Sequence, residues 1–395
     1  MSIVGLLERL EAVSGEGIHI ARDRCLNNFN NSTCQRCAEI CPEQAVEIEE
    51  LPEIDAEKCK SCLACIQVCP VDAVRGEDAV SPLLNSSSRN ESSRVELLCE
   101  LHPQPEFGLE DADGIRVNGC LAGLGSGTYA ALFALGIEEI VLHTEYCRDC
   151  PWSILQQEIA EQRKHANLQL SAWGEEEVVR EITEGEDLEE RRYWDADNPP
   201  LSRRELFRMA AQQGQISMAK ALNPHQEAVG KRPGRNYLRT AAAMKHLFQR
   251  TIEKDVALVG NGFALLEVTE ACSACGSCAK ICPTEALHFA VDEEETSFKL
   301  SYTAQDCVGC ELCLRVCSED AILINHAPQI QELFSVEDPR VLQQGGLKTC
   351  RDCRSKYASS GEGKLCPICE FRAQNPLGSK LPPAVQDLIE KRKNS

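Results

Sequence analysis

Residues 272–317 read CSACGSCAKICPTEALHFAVDEEETSFKLSYTAQDCVGCELCLRVC. The pattern C-x2-C-x2-C-x3-C occurs twice in this stretch, at Cys272, Cys275, Cys278 and Cys282, then at Cys307, Cys310, Cys313 and Cys317. Three thiolates spaced by two residues can surround one iron-sulfur cube, while the fourth, carried on the following helix, points at the neighbouring cube. The crossover makes one unit of the two halves: Cys272, Cys275, Cys278 and Cys317 for one [4Fe-4S] cluster, Cys307, Cys310, Cys313 and Cys282 for the other. A zinc site needs only four cysteines, and a disulfide framework would not repeat this interval.

Residues 25–75 are a second copy, with Cys25, Cys34, Cys37 and Cys41-Pro42 followed by Cys59, Cys62, Cys65 and Cys69-Pro70. A small residue recurs after each fourth cysteine: Ala45, Ala73, Ala286 and Ala321. The same crossover assigns Cys25, Cys34, Cys37 and Cys69 to one cluster and Cys59, Cys62, Cys65 and Cys41 to the other. The spacer LNNFNNST (26–33) replaces the usual two residues and suits a surface loop; the alternative to Cys25 is a three-cysteine cluster with an open iron or another ligand. Both blocks resemble the bacterial-type 2[4Fe-4S] ferredoxins. Ser318 departs from that pattern, which has proline there, and touches only the local turn.

Between the blocks, 94–178 alternates strand and helix signals. Val95–Leu101, Ile115–Asn118 and Ile140–His143 read as strands, Thr128–Leu135 as an apolar helix and Trp152–His165 as an amphipathic one, which predicts a small α/β layer. Cys99, Cys120, Cys147 and Cys150 fall at or beyond the strand ends, and four thiolates from such loops suit a [2Fe-2S] cluster. A zinc site or unligated buried thiols are the alternatives. The stretch GCLAGLGSGTYAALFALGIEEIVLHTEYCRDCPW (119–152) resembles the delta subunit of methyl-viologen-reducing hydrogenase. That resemblance implies a [2Fe-2S] cluster at Cys120, Cys147 and Cys150, with Cys99 a looser match, and electron delivery to heterodisulfide reductase. Gly123, Gly125 and Gly127 do not complete a dinucleotide fingerprint, because Thr128 stands where the third glycine would. A glycine turn beside a ligand loop is the expected use.

The stretch 76–93, GEDAVSPLLNSSSRNESS, reads as a linker without periodicity. Residues 175–197 carry eleven acidic and three basic side chains, and residues 201–254 eleven basic and three acidic. A helix over Leu238–Lys254 could lie on an acidic partner or be a solvated connector, so Arg232, Arg235 and Arg239 are candidates for docking or packing. Beyond the second block, Cys350-x2-Cys353 and Cys366-x2-Cys369 form two knuckles, the pattern of a structural zinc ribbon, with mononuclear iron as the alternative. Residues 382–393 read as a polar helix.

The 24 cysteines are all used: sixteen in the two blocks, four in the centre, four in the ribbon. These spacings need a reducing compartment, so a cytoplasmic location is expected. Leu6, Leu10 and Val13 share one face of a short amino-terminal helix, with no signal-peptide pattern, and no apolar run reaches the roughly 18 residues of a membrane span. Arg203-Arg204 mimics a twin-arginine export motif, but lies mid-chain before a polar stretch and reads as a solvated helix start. The formal charge of −21 argues against nucleic acid as a partner. Loading six four-thiolate sites would take it to about −33, because the ligands must be deprotonated, and such a surface favours a basic docking face on a redox partner. No hydrolase, Walker or zinc-protease motif is visible, and the eight histidines have no ligand spacing.

The expected architecture is a multidomain α+β chain: a 2[4Fe-4S] ferredoxin domain (1–76), a hydrogenase delta-like α/β domain (94–178), a charged helical connector (179–262), a second ferredoxin domain (263–328) and a zinc-ribbon-like unit (340–375). The expected function is electron transfer between a cytoplasmic oxidoreductase, of hydrogenase, formate dehydrogenase or heterodisulfide-reductase type as the resemblance implies, and a second acceptor. The alternative is an accessory protein for maturation of a redox metalloenzyme.

Overall fold

The computed structural model describes residues 17–29, 33–89, 92–110, 112–174, 177–182, 186–200, 213–223, 231–259, 262–292, 294, 296–335, 339–358 and 363–375. The helices expected at the two chain ends and the Arg203-Arg204 segment lie outside these residues. The chain divides into two units, 1–261 with 329–334, and 262–328 with 335–395.

At the centre of the first unit is a five-stranded parallel sheet of β1 (Arg94–Leu98), β2 (Asp113–Arg116), β3 (Glu139–Leu142), β4 (Val179–Glu181) and β5 (Tyr193–Asp195), in the order β5-β2-β1-β3-β4. Val95, Leu97, Leu98, Ile140, Val141 and Leu142 are all fully buried, as expected for a parallel sheet covered on both faces. Strand order reverses at β1, since the chain goes to β2 on one side and then to β3 on the other. In such sheets the crevice beyond the carboxyl ends of the strands at this reversal is where ligands bind.

Helix α1 (Val80–Ser87) occupies the stretch expected to be a linker. Its Val80, Leu83 and Leu84 are buried, and Asp78 accepts the Val80 N–H (3.2 Å). The serines that obscured it are themselves buried, Ser86 accepting the indole N–H of Trp194 (2.8 Å). Helix α2 (Ser126–Ala134) is buried along its whole length, the condition of a helix apolar on every side. It packs against α1, α3 (Gln156–Leu170) and α4 (Arg235–Leu247). The connector expected to be helical over 179–262 instead begins with both edge strands of the sheet, β4 and β5. Short edge strands tolerate charge because one side faces water, and their acidic neighbours concealed them.

The amino-terminal block pairs His19–Ile20 with Val74–Arg75 and Val46–Ile48 with Pro52–Ile54, both antiparallel. The second unit repeats this plan: Leu265–Val268 pairs Ile322–Asn325, and β6 (Leu287–Val291) pairs β7 (Ser297–Tyr302). A further strand, β8 (Arg340–Gly346), adds to β7. The chain then enters the small pair Lys348–Thr349 and Lys356–Tyr357, followed by a helix at Pro367–Gln374 with Cys366 as its N-cap.

Candidate iron-sulfur and metal centres

In the second unit the loop thiols are held by backbone in an uncommon conformation. Ala274 and Gly276 (φ 57° and 68°) flank Cys275, and Gly309 and Glu311 (both φ 61°) flank Cys310. Ser61 and Leu63 (φ 54° and 68°) do the same around Cys62 in the first unit. Left-handed non-glycine residues are costly and cluster at functional sites. Alternation between right- and left-handed residues turns successive N–H groups into a concave nest for an anion. A four-thiolate iron-sulfur cluster is such an anion, so these loops fit the group on geometry independent of cysteine spacing.

The fourth thiols share a second device. Gln44, Asp72, Glu285 and Asp320 are all left-handed (φ 47° to 55°), each just before one of the recurring alanines. The turn aims the N–H of Ala45 at Cys41 Sγ (3.3 Å), of Ala73 at Cys69 Sγ (3.1 Å) and of Ala321 at Cys317 Sγ (3.3 Å). Buried to 2 % exposure or less, these alanines stand where a larger side chain would crowd the sulfur.

Burial and neighbouring thiols raise cysteine thiols of both blocks. Burial pushes the Cys37 thiol up to about 12, and the next contributors are Cys69, Cys34 and Cys25. Burial likewise lifts Cys62 to about 11, with Cys41 and Cys59 adding to it, and lifts Cys65, with Cys62 and Cys59 next. In the second unit burial raises Cys278 to about 11, assisted by Cys275, Cys272 and Cys317, and Cys310 to about 11, assisted by Cys282 and Cys307. Cys313 is raised by burial and then by Cys307, Cys310 and Cys282. Cys25 is 7 % exposed, and Asn27 clamps the long spacer that follows it: its amide donates to the Cys34 carbonyl (2.9 Å) and accepts the Cys34 N–H (2.8 Å).

The family model of the 4Fe-4S dicluster domain matches residues 32–73 and 271–321. Both blocks carry that domain. The first match begins after Cys25, and the second covers all eight cysteines of its block. No curated protein matches the chain.

Outside the dicluster domains, Cys99, Cys120, Cys147 and Cys150 all follow the carboxyl ends of β1, β2 and β3, at the reversal point of the sheet. Burial raises Cys120 to about 12, with Cys99 and Cys147 next, and Cys147 to about 12, with Cys99 and Cys150 next. Cys99 directly follows β1, the strand that lies between β2, which leads to Cys120, and β3, which leads to Cys147 and Cys150. Gly123, Gly125 and Gly127 are filled by protein neighbours, Leu63 against the first and Asn236 against the others.

The sulfurs of Cys350, Cys353, Cys366 and Cys369 lie within 4.8 Å of one another, Cys353 and Cys366 at 3.6 Å. Tetrahedral Zn–S bonds of about 2.3 Å place sulfurs roughly 3.8 Å apart, so the quartet fits one ion. Burial opposes ionisation of Cys350, but N–H groups of Cys353, Cys366 and Asp352 bring its thiol down to about 6. Among the described residues the buried cluster of the knuckle is Cys350, Cys366, Cys369 and Tyr357, with Leu365 packed against it.

One buried network beside the central quartet escaped sequence reading. His143, fully buried, sits between Glu96 (Nε2 to Oε2, 2.6 Å) and Glu145 (Nδ1 to Oε1, 2.9 Å). Arg191 also pairs with Glu96, and His102 Nε2 meets Glu145 at 3.1 Å. The Gln104 N–H points at His102 Nδ1 (3.3 Å), which leaves Nε2 to donate to Glu145 rather than to ligate a metal. The available signal was Glu96, a carboxylate inside the apolar strand RVELL.

Burial disfavours the His143 charge, yet the two carboxylates hold its pKa above the usual 6.5. Its contribution to stability is therefore complete below 6.5 and lost as pH rises through the folded value. Burial also opposes the Glu96 charge, but His143 and Arg191 hold it below 4.5, so its contribution is complete above 4.5 and lost in acid. The network is strongest between these limits. His143→Gln is expected to cost about 1–3 kcal/mol at roughly pH 5.5 and less at about pH 8.5. Urea midpoints at the two pH values check this, and an equal loss at both would contradict it.

Proposed function

We propose that the chain is a multi-cluster electron-transfer subunit joining a cytoplasmic oxidoreductase to a second acceptor. What supports this reading is the dicluster-domain match to both blocks together with the left-handed residues that flank Cys62, Cys275 and Cys310. Four [4Fe-4S] clusters are assigned: to Cys25, Cys34, Cys37 and Cys69; to Cys41, Cys59, Cys62 and Cys65; to Cys272, Cys275, Cys278 and Cys317; and to Cys282, Cys307, Cys310 and Cys313. Cys99, Cys120, Cys147 and Cys150 would hold a [2Fe-2S] cluster, and Cys350, Cys353, Cys366 and Cys369 a structural zinc. When bound, iron-sulfur clusters accept and release single electrons at potentials set by hydrogen bonds to sulfur, net charge and solvent exposure. The chain's part is to supply those settings, as the Ala45, Ala73 and Ala321 N–H groups do.

The likeness of residues 119–152 to a hydrogenase delta subunit supports a partner of hydrogenase, formate dehydrogenase or heterodisulfide-reductase type. Among the described residues no helix is long and apolar enough to cross a membrane, so docking to such a partner would be through its surface. The test is iron, acid-labile sulfide and zinc per chain after anaerobic purification, with EPR after dithionite. The expected content is about 18 iron and one zinc. About 16 iron with two zinc would make the central quartet structural, and labile clusters that transfer to an apo-enzyme would favour a maturation role.

A further inference from the structure

The central quartet lies against one half of the amino-terminal dicluster block. The Cys120 N–H donates to the Cys62 carbonyl at 3.3 Å, so the path Sγ–Cβ–Cα–N–H···O=C–Cα–Cβ–Sγ links the two thiols across one hydrogen bond. The approach depends on residues without side chains. A Cβ on Gly119, whose φ is +78°, would stand 3.0 Å from the Ser61 carbonyl oxygen, and one on Gly123 would stand 3.0 Å from Leu63 Cβ.

Trp152 supplies a second, separate link to the same half. Only 8 % exposed, it donates its backbone N–H to Cys150 Sγ (3.4 Å) and its indole N–H to Glu43 (2.8 Å). Glu43 follows Cys41-Pro42, and Cys41 belongs to the same crossover quartet as Cys62. The remaining quartet of the block adjoins this one, since the short helix that carries Cys37 (Arg36–Glu39) packs against the one that carries Cys65 (Ala64–Val68).

We propose that these contacts fix the order of electron passage in the first unit: the quartet of Cys99, Cys120, Cys147 and Cys150, then that of Cys41, Cys59, Cys62 and Cys65, then that of Cys25, Cys34, Cys37 and Cys69, in either direction. The proposal rests on the iron-sulfur reading of the central quartet. At each step one site is oxidised by one electron and its neighbour reduced by one; no bond forms and no proton moves. The electron enters from an external one-electron donor, a redox protein in the cell or dithionite in the test.

The experiment is EPR of the full chain during stepwise reduction with dithionite. The expected result is a central-site signal that broadens and relaxes faster as a second centre becomes reduced. In Cys59→Ala/Cys65→Ala, which empties the adjoining quartet, the central signal should relax as an isolated centre. Cys25→Ala/Cys34→Ala, which empties the outer quartet, should leave the coupling in place. If the emptied variants do not fold, the wild-type titration decides alone: a central signal that stays sharp and slowly relaxing at full reduction overturns the order. Zinc, or no metal, in the wild-type central quartet overturns the reading of that site and the order with it, and metal analysis distinguishes the two failures.

Discussion

Arg239→Ala is expected to lower the unfolding free energy of the first unit by about 3–5 kcal/mol, the cost of breaking a buried ion pair from one side. Arg239 is fully buried on α4. Its guanidinium pairs with Asp78, donates to Asn223 Oδ1 (2.7 Å) and reaches Gln67 Oε1 at 3.3 Å. Arg235 divides itself between Asp78 and Asp72 (both 3.1 Å), and Arg232 holds Asp72 at 2.6 Å. Asp72, 1 % exposed, follows Cys69 closely and also meets Arg75 at 3.2 Å. This lattice ties α4 to the amino-terminal dicluster block. Truncating Arg239 leaves the Asp78 carboxylate buried with fewer partners. Anaerobic urea unfolding of the loaded protein followed by far-UV circular dichroism measures the loss. The comparison is Arg250→Ala, an exposed cation over the Phe133 ring (5.6 Å), which should cost about 0.5–1 kcal/mol. Equal losses for the two would remove the buried lattice from the explanation. Of the two roles expected for these arginines, the burial of Arg232, Arg235 and Arg239 favours internal packing over a docking face.

Cys350→Ser should unfold the knuckle outright. Metal binding to small four-ligand units contributes an apparent folding free energy of about 10–16 kcal/mol near neutral pH, and this knuckle has little else. Its buried cluster among the described residues is Cys350, Cys366, Cys369 and Tyr357 with Leu365 packed on it, and the loop is closed by bonds from the Tyr357 hydroxyl to the Gly363 carbonyl (2.8 Å) and from the Arg351 N–H to the Lys364 carbonyl (2.9 Å). If the knuckle holds the zinc proposed for it, the expected outcome is loss of one zinc per chain, rapid amide exchange over 348–375 and new protease cuts there, with iron content unchanged. Retained exchange protection in a metal-free variant would show that the knuckle folds on packing alone.

The dicluster domains were legible because C-x2-C-x2-C is a local pattern that puts three thiols on one loop, whatever surrounds it, and the family model matches both blocks. The strands and helices of 94–170 were legible for a similar reason, as the apolar run of α2 and the Val/Ile/Leu content of β1 and β3 exceed any competing signal. What required three dimensions was partnership at a distance. Nothing in LNNFNNST announces that Asn27 will clamp Cys34 back beside Cys25. His102 and His143 are far apart in sequence and meet only because β1 and β3 are neighbours with adjacent carboxyl ends. Serines masked α1, because a buried serine bonded to an indole looks the same in sequence as one in a loop. Acidic residues masked β4 and β5, because an edge strand need bury only one side.

The edge of the second dicluster block has a bearing on how the protein is made. Strand β8 closes the sheet of β6 and β7, and Ala358, in the knuckle, donates its N–H to Ser273 (2.9 Å), the residue after Cys272. Both of these closing segments leave the ribosome after every cysteine of the block has emerged. During synthesis the Cys272 loop is therefore translated in full before the strand and the knuckle contact that border it.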